Sequence, residues 1–312
     1  MQSEFLINAL SVHLPPILRW AGAIGRRLRS HNISVATKTT GSALTDALTL
    51  ADLTIQELLV AALRDVDPIF RHCRIEAEES TGDLHAFAQQ SEFVLALDPI
   101  DGTKQYRDHT GNGYAVMLHL RTASEMLYSL VYIPEKGVQG WWVEVTPERV
   151  VSGPDDWSRP ATDVVRSLVV AEADRPTTSK KIYVIGFQHR DVIAASEITR
   201  CGYEGVAPDE MPGSIYELMA SGEFAGSLIH SPNVYDFPVS MQIARYFGGN
   251  ACWTDTGEPV HFRETWLDEK ADMIRLPRVV ACANDPQILA GLINLAKSWH
   301  PVRYRPGDSL VE

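Results

Sequence analysis

The residues with the clearest chemical potential lie in segment 98–103, which reads Asp-Pro-Ile-Asp-Gly-Thr. It follows an apolar run, residues 93–97, that is typical of a buried strand. The proline restricts the backbone and the glycine permits close approach. The turn can therefore aim Asp98, the Ile100 carbonyl and Asp101 at one hard divalent cation. An isolated Asp-Gly pair is usually an ordinary turn, but the full hexapeptide after an apolar strand favours a metal-binding turn.

Two further acidic segments could complete such a site. Glu78 and Glu79 precede the hexapeptide and, taken alone, are typical of a solvated acidic loop. Asp236 lies just before residues 239–247, whose periodicity predicts a helix, so N-capping is its simplest role. An aspartate at a helix start could still bind a cation together with the turn at 98–103.

In order and spacing, these residues resemble the inositol monophosphatase-like superfamily. The matching features are the Glu78-Glu79 pair, the hexapeptide, and Asp236 before a helix that ends in Gly-Gly. The superfamily includes inositol monophosphatases, bisphosphate nucleotidases and fructose bisphosphatases. The resemblance covers residues 38–283, and its most specific part is the hexapeptide. It implies a layered αβαβα sandwich of helices and two sheets, with the activity of a Mg²⁺-dependent phosphatase that acts on a small phosphorylated metabolite.

The resemblance also implies the metal ligands. The family's ligands match the carboxylates of Glu78, Asp98, Asp101 and Asp236 and the carbonyl of Ile100. One Mg²⁺ would be held by Asp98, Asp101 and Asp236, and another by Glu78, Asp98 and the Ile100 carbonyl, with two or three ions per site. Two such cations can stabilise both the attacking and the leaving oxygen of an in-line displacement at phosphorus.

Water activation is assigned by the same resemblance to Thr103 and an acidic partner. The partner belongs to a T-x-x-D segment before a helix, which here ends at Asp52. The lead-in is longer than in the family, and Asp46 is a competing assignment. We favour Asp52 because it opens the helix in the right phase, and Glu79 is an alternative base. The backbone N–H groups of Gly102 and Thr103 are expected to bind phosphoryl oxygens.

Substrate selection is expected to come from the C-terminal part. Gly213 and Ser214 resemble the segment that contacts the sugar or inositol ring in relatives. Lys104 follows the hexapeptide as in the D-G-T-K-x-[FY] pattern of bisphosphate nucleotidases, although a solvent-facing loop lysine would look the same. Ile229 stands where many inositol monophosphatases have an acidic residue. We therefore favour a 3′(2′),5′-bisphosphate nucleotidase, with an inositol or sugar phosphate phosphatase as the alternative.

The third motif departs from the family pattern. The family usually has Trp-Asp followed by small residues, whereas this chain has Tyr235-Asp236-Phe237-Pro238. The carboxylate is kept, but the helix start next to the substrate changes. This change keeps open a family member that acts mainly by binding a partner protein. A sugar-nucleotide or dinucleotide module is a weaker alternative, because no G-x-G-x-x-G follows a strand.

The elements that must position these residues differ between the two halves. Helical periodicity predicts one long helix that continues past Pro15 and Pro16, and a second that runs from Asp52 to Asp67. Strands on a largely antiparallel sheet, and hence an α+β N-terminal half, are then indicated at residues 93–97, 114–120, 127–133 and 138–145.

The C-terminal half alternates strand-like and helix-like segments, which indicates an α/β domain. Strands are indicated at 167–170, 182–185, 224–229 and 279–283, and helices at 192–200, 215–220, 239–247 and 286–299. Turn-forming residues at 150–162 predict an interdomain connection. We therefore divide the chain into an N-terminal domain with most metal ligands, residues 1–150, and an α/β domain with Asp236 and substrate contacts, residues 151–312.

Composition restricts the partners. The 312 residues are 45% hydrophobic, enough for a sizeable core, and carry a net charge of −12. This charge disfavours nucleic acids and anionic membranes, and phosphate would be repelled unless cations reverse the local field. The four cysteines lack metal-ligand spacing and are expected to be buried or half-buried thiols. The first residues do not resemble a signal peptide, which predicts a cytoplasmic location. A homodimer is the assembly left open.

Overall fold

The computed structural model describes residues 3–31, 48–174 and 179–304. In the first part of the chain the helices are α1 (Ser3–Arg29), α2 (Leu50–Val66), α3 (Thr103–Asp108) and α4 (Ala161–Ser167). The strands there are β1 (Arg74–Ala77), β2 (Val94–Asp101), β3 (Ala115–Arg121), β4 (Met126–Ile133), β5 (Trp141–Val145) and β6 (Val150–Pro154).

The two long helices confirm the prediction from periodicity. Leu6, Leu10 and Leu14 recur on one face of α1 and are fully buried, and α1 continues through both of its prolines. Thr49 caps α2 and forms a reciprocal capping box with Asp52, which satisfies backbone donors that a helix start leaves free. The helix ends where Asp67-Pro68 interrupts it, as predicted.

The first sheet has the strand order β1-β2-β3-β4-β5-β6. Strand β1 is parallel to β2, and the other neighbours are antiparallel. Side chains alternate between its faces: Leu118 packs with α1 and α2, while Met117 packs with the helices on the other side. The sheet is thus covered on both faces, and it carries the end of β2 into the interior.

The second half adds α5 (Asp191–Arg200), α6 (Ile215–Ser221), α7 (Phe237–Tyr246) and α8 (Pro286–Ala296). Its strands are β7 (Lys181–Ile185), β8 (Glu204–Val206), β9 (Gly226–His230), β10 (Asn250–Trp253), β11 (Trp266–Asp268), β12 (Met273–Arg275) and β13 (Val279–Ala283). The five-stranded sheet has the order β10-β13-β9-β7-β8, and β11 pairs only with β12 among the described strands.

Alternation along β13 shows how the second sheet separates two helical layers. Val280 and Cys282 pack with α6 and α7, which also contact the first sheet, whereas Ala281 and Ala283 pack with α5 and α8. The layers therefore follow the order helix, sheet, helix, sheet, helix, which confirms the αβαβα prediction. None of the described helices combines the length and apolar character needed to cross a membrane.

The segment at 150–162 corrects two predictions. It is not an irregular connection, because β6 pairs with β5 and extends the first sheet to Pro154. Residues 167–170 are not a strand either: α4 ends at Ser167, and Val170 forms only an isolated bridge. The buried residues of α4 are Ala161, Val164 and Val165, a helical spacing that the surrounding turn residues obscured. The division into two domains stays a prediction.

Smaller differences concern short elements and one thiol. The sequence did not indicate β1, β8, β10, β11 or β12, which have three or four residues each. Strands this short carry too little alternation to stand out from loops. Cys201 is exposed, contrary to expectation, because it lies just after the last residue of α5, whereas the other three cysteines are buried.

The residue that follows β6 is fixed to α1. Asp155 is buried, and its Oδ2 accepts hydrogen bonds from Arg19 Nε at 2.9 Å and from Tyr132 Oη at 3.1 Å. Its other carboxylate oxygen also bonds to the Arg19 guanidinium. This contact joins the end of the first sheet to the helical layer that covers it.

Asp155→Ala is therefore expected to lower the free energy of unfolding by about 1–3 kcal/mol, because the partly buried Arg19 guanidinium loses its carboxylate partner and keeps only backbone carbonyls as acceptors. Urea unfolding of the variant measures the loss. Glu148→Ala, an exposed carboxylate in the turn between β5 and β6, is the control and should change stability by less than about 0.5 kcal/mol. Equal effects would show that Asp155 does not anchor this junction.

Candidate metal centre

The end of β2 is bent so that two aspartates share one side. Asp98 pairs with Met117 of β3, while Asp101, three residues later, pairs with Ala115, only two residues away on β3. One extra residue on β2 makes this a bulge, which re-aims side chains. Gly102 follows with φ of 85°, in the left-handed region that favours glycine, and leads directly into α3.

Asp236 reaches the same point from the second half of the chain. Carboxylate oxygens of Asp98, Asp101 and Asp236 lie within 4.8 Å of one another. Asp236 stands at the start of α7, and Asn233 fixes it in two ways: its Nδ2 donates to Asp236 Oδ2 at 2.9 Å, and its Oδ1 accepts the Asp236 N–H at 3.0 Å. Glu78 adds a fourth carboxylate within hydrogen-bonding reach of Asp98.

The four carboxylates disfavour one another's charge. Burial, followed by the charges of Glu78 and the other aspartates, raises the pKa of Asp98 well above its ordinary value. Burial also raises the pKa of Asp101 to about 6 and that of Asp236 to about 7, and neighbouring carboxylates add to both shifts. A site of this kind requires either bound protons or cations.

The donor set fits a hard divalent cation. Oδ1 of Asp98 is buried and has no hydrogen-bond partner among the described residues, although buried carboxylate oxygens are normally satisfied. Carboxylates and a backbone carbonyl are the ligands that Mg²⁺ prefers. Glu78, Asp98, Asp101, Asp236 and the Ile100 carbonyl could therefore hold such ions. Their individual roles stay predictions.

Thr103 and Asp52 lie together beside this cluster. Thr103 Oγ1 is 3.0 Å from Asp52 Oδ1 and 2.8 Å from the Ile100 carbonyl oxygen. Asp52 Oδ2 accepts the Thr49 N–H at 2.7 Å and the Thr49 hydroxyl at 2.6 Å. Burial raises the pKa of Asp52 to about 6 despite these bonds. The competing residue, Asp46, lies outside the described residues.

The loop that carries Glu78 and Glu79 is fixed by one fully buried side chain. Gln56 Oε1 accepts the Glu79 N–H at 2.9 Å, and its Nε2 donates to the carbonyls of Glu79 and Thr81. Gln56 lies one helical turn after Asp52 on α2, so one face of this helix positions both acidic groups. The charge of Glu79 also contributes to the raised pKa of Asp52, which places the two acids near each other.

A cavity of about 220 Å³ opens over the cluster. Its lining includes Gly102, Thr103, Lys104, Gly213 and Ser214, the residues predicted to bind substrate. Ser214 Oγ is buried without a partner among the described residues, but Lys104 Nζ forms an ion pair with Asp209. Lys104 therefore has a carboxylate partner, although the Asp209 side chain is 73% exposed.

Several residues at the site carried no recognisable signal in the sequence. Tyr216 hydrogen-bonds Asp101, and Asn233 holds Asp236. Arg275 and Arg303 line the cavity from β12 and from the segment after α8. Of these unpredicted residues, only Gln56 could have been inferred from the sequence, because it lies four positions after Asp52 on a predicted helix.

Comparison with known proteins agrees with this arrangement. A family model described as the inositol monophosphatase family matches residues 16–296, so the chain belongs to this family. No curated protein has a significantly matching sequence. The family is one of phosphatases, and this places the chain in that class of hydrolase.

Solved structures show the same fold. SuhB, an extragenic suppressor protein from Bartonella henselae, is 15% identical with a TM-score of 0.63, over 92% of this chain and 98% of that one. CysQ from Bacteroides thetaiotaomicron, a bacterial member of the inositol monophosphatase family, is 17% identical with a TM-score of 0.59, over 89% and 97%. Inositol monophosphatase from Anabaena is 14% identical with a TM-score of 0.59, over 96% and 98%.

The raised pKa values predict how the metal-free protein responds to pH. The folded pKa values of Asp236 and Asp101, about 7 and about 6, exceed the ordinary 3.8 of the unfolded chain, so folding takes up protons near neutrality. In EDTA, the free energy of unfolding should therefore rise on the order of 1 kcal/mol from pH 8 to pH 6.5. His119 and His230, whose pKa burial lowers to about 3, oppose the trend already near the lower end of this window, because their imidazoles take up protons in the unfolded chain around pH 6.5. The contribution of the cluster is therefore the difference in this pH dependence between the protein and Asp236→Asn.

Urea unfolding at several pH values measures this dependence. Asp236→Asn should remove most of the rise, and saturating Mg²⁺ should flatten it in the original protein, because cations take the place of protons. A metal-free protein whose stability depends on pH in the same way as that of Asp236→Asn between pH 8 and 6.5 would contradict the electrostatic description of the cluster.

Proposed function

We propose that this chain is a Mg²⁺-dependent phosphatase that hydrolyses a small phosphate monoester. The observation that carries the proposal is the convergence of Asp98, Asp101 and Asp236 on one point, beside the Thr103–Asp52 pair and under a cavity. Carboxylates packed this closely are unfavourable without cations, and a phosphoryl group is a ligand that cations in such a site can bind.

The proposed holders of the cations are the four carboxylates and the Ile100 carbonyl, with Glu78 next to Asp98. When bound, the cations offset the negative charge of the phosphoryl oxygens and make a nearby water more acidic. Tyr216, which hydrogen-bonds Asp101, and Asn233, which hydrogen-bonds Asp236, keep these ligands in place.

Thr103 and Asp52 are proposed to move the proton of the attacking water. The Thr103 hydroxyl can donate to Asp52 Oδ1 at 3.0 Å while one of its lone pairs accepts from a water molecule in the cavity. The two bonds from Thr49 hold Asp52 in the orientation that this requires. With a pKa of about 6, Asp52 is an effective proton acceptor near neutral pH. Glu79 is the alternative base.

The direct test is Mg²⁺-dependent phosphate release from a panel of nucleotides, sugar phosphates and inositol phosphates. Asp101→Asn should lower kcat at least about 100-fold with the melting temperature kept, because the amide removes a charged ligand. Asp163→Asn, an exposed carboxylate on α4, is the matched control and should keep full activity. Near-normal Mg²⁺-dependent activity in Asp101→Asn would overturn the ligand assignment.

Asp52→Asn should lower kcat about 100-fold or more, because the amide cannot accept the proton, whereas Asp46→Asn should have little effect. Steady-state kinetics with a melting curve for each variant separates lost chemistry from the lost cap of α2. A larger effect at Asp46 would transfer the role to that residue. A small effect at both would point to Glu79.

For the substrate we propose a bisphosphorylated nucleotide rather than an inositol phosphate. Ile229, on β9, presents an apolar side chain to the cavity where an acidic group would bond ring hydroxyls. An inositol or sugar phosphate remains the second candidate, because Phe237 and Pro238 reshape the start of α7. A member that mainly binds a partner protein would release no phosphate from any substrate in the panel.

The expected outcome is a higher kcat/KM for 3′-phosphoadenosine 5′-phosphate than for inositol 1-phosphate at saturating Mg²⁺. Losing a hydrogen bond to ring hydroxyls should cost inositol phosphate about 1–3 kcal/mol. Ile229→Glu should shift the preference toward inositol 1-phosphate. Lys104→Ala should weaken turnover of the nucleotide only if the Asp209 ion pair opens when substrate binds. A clear preference of the unmodified protein for inositol 1-phosphate would reject the nucleotidase.

A further inference from the structure

The cavity has a second charged wall that the proposed phosphate chemistry does not use. Arg275, the last residue of β12, and Arg303, from the segment after α8, both line it. Only 5% of Arg275 and 7% of Arg303 is exposed. Burying a guanidinium group costs free energy unless carboxylates or hydrogen-bond acceptors compensate it. The partners of the two arginines therefore indicate whether their charge and their donors are fully satisfied within the protein.

The two arginines share one carboxylate. Asp268 Oδ2 accepts from Arg275 Nε at 2.7 Å and lies 3.9 Å from Arg303 Nε. The same oxygen also accepts the Tyr304 hydroxyl at 2.6 Å. Asp191, which also lines the cavity, is the other acid near Arg303, and it accepts the Phe187 N–H at 2.7 Å and lies near Arg190 as well. Among the described residues, no carboxylate oxygen lies closer to an Arg303 nitrogen than the 3.9 Å from Asp268, so the charge of Arg303 is compensated only at longer range.

One of the guanidinium nitrogens of Arg275 also has only a weak hydrogen-bond acceptor. Arg275 Nη1 donates to the Ser231 carbonyl at 3.2 Å, but its Nη2 meets the Met273 sulfur at 3.2 Å, and a thioether is a poor acceptor. Arg303 Nη1 donates to the carbonyls of Gly186 and His230, and its Nε and Nη2 lie 3.3 and 3.2 Å from the side-chain amide of Gln188, whose oxygen can accept from both. The Arg303 guanidinium is thus held firmly in place, while Arg275 keeps donor capacity for an oxyanion.

This wall is next to the carboxylate cluster. Arg275 forms a β-bridge with Asn233, the residue whose side chain holds Asp236. The positive charge of Arg275 also acts on Asp236 and lowers its pKa, against the stronger effect of burial. One cavity therefore has an acidic wall that suits cations and a basic wall that suits an anion. A substrate with two anionic groups would match both.

We propose that Arg275 and Arg303 bind a second oxyanion, a phosphate or carboxylate, on the same substrate molecule whose scissile phosphate lies at the carboxylate cluster. The forked guanidinium groups match such oxyanions geometrically. This inference rests on the proposed phosphatase function, and it gives the role first predicted for Lys104, which pairs with Asp209, to the two arginines. Phosphate esters of neutral alcohols should then be poor substrates.

The test uses substrate pairs that differ only in the second group. One pair is 3′-phosphoadenosine 5′-phosphate and adenosine 3′-monophosphate, and the other is 2-phosphoglycerate and glycerol 2-phosphate, which separates a phosphate from a carboxylate. At least one pair should show about tenfold or greater preference in kcat/KM for the doubly charged member, mainly through KM. No preference in either pair would overturn the proposal.

Variants of the two arginines test whether these residues cause the preference for the doubly charged substrate. Arg303→Gln and Arg275→Gln should each reduce the preference ratio about tenfold. Arg303→Lys keeps the charge without the fork, and should reduce the ratio less. Arg278→Gln is the matched control, because this arginine pairs with Asp255 and Glu264 and does not line the cavity, so the ratio should persist. A ratio that is unchanged in correctly folded Arg303→Gln and Arg275→Gln would also overturn the proposal.

Calorimetric binding to the metal-free protein separates this inference from the phosphatase proposal. 3′-Phosphoadenosine 5′-phosphate should bind more tightly than adenosine 3′-monophosphate, and Arg303→Lys should reduce this difference in affinity. If no substrate is turned over but this binding preference is present, the phosphatase proposal fails and the arginine site stands. If phosphate is released but the two nucleotides bind equally, the arginine site fails alone.

Discussion

The structure depends on a single electrostatic conflict, the crowding of one buried and two half-buried aspartates, with the half-buried Glu78 beside Asp98, between its two halves. The aspartates are desolvated by the surrounding layers and repelled by neighbouring carboxylates, so the pKa values of Asp98, Asp101 and Asp236 all rise. Such a cluster is stable only if protons or cations neutralise it. The same conflict that destabilises the metal-free protein is the source of the affinity for divalent cations, and through them for phosphate, that we propose for this site.

The layered fold is what holds the cluster together. The bulge in β2 presents two aspartates from the first sheet, and α7 presents Asp236 from the layer between the sheets. Helix α2 contributes twice from the outer layer, through Asp52 beside Thr103 and through Gln56 under the Glu79 loop. Ligands from distant parts of the chain thus meet only when the layers pack, which links the site to the stability of the whole fold.

Local patterns predicted the long helices, most strands of five residues or more and the pair Asp98 and Asp101, whereas Glu78 and Asp236 were assigned through the family resemblance. Asp98 and Asp101 were recognisable because strand, proline and glycine chemistry converge on six consecutive residues. The failures have physical reasons. Helix α4 has only seven residues among turn formers, and β11 and β12 are too short to show alternation. Arg275 and Arg303 are brought to the cavity wall by tertiary contacts with Asp268, and no spacing in the sequence indicates such contacts.

The most direct test of the central claim is proton release when Mg²⁺ is added to the metal-free protein. With the pKa of Asp236 at about 7 and that of Asp98 also raised, the cluster should hold protons at pH 6.5 that cations displace. A pH-stat titration should record release of about one proton or more per protein as Mg²⁺ binds, and less from Asp236→Asn. Binding of Mg²⁺ without proton release, or no binding at all, would contradict the account.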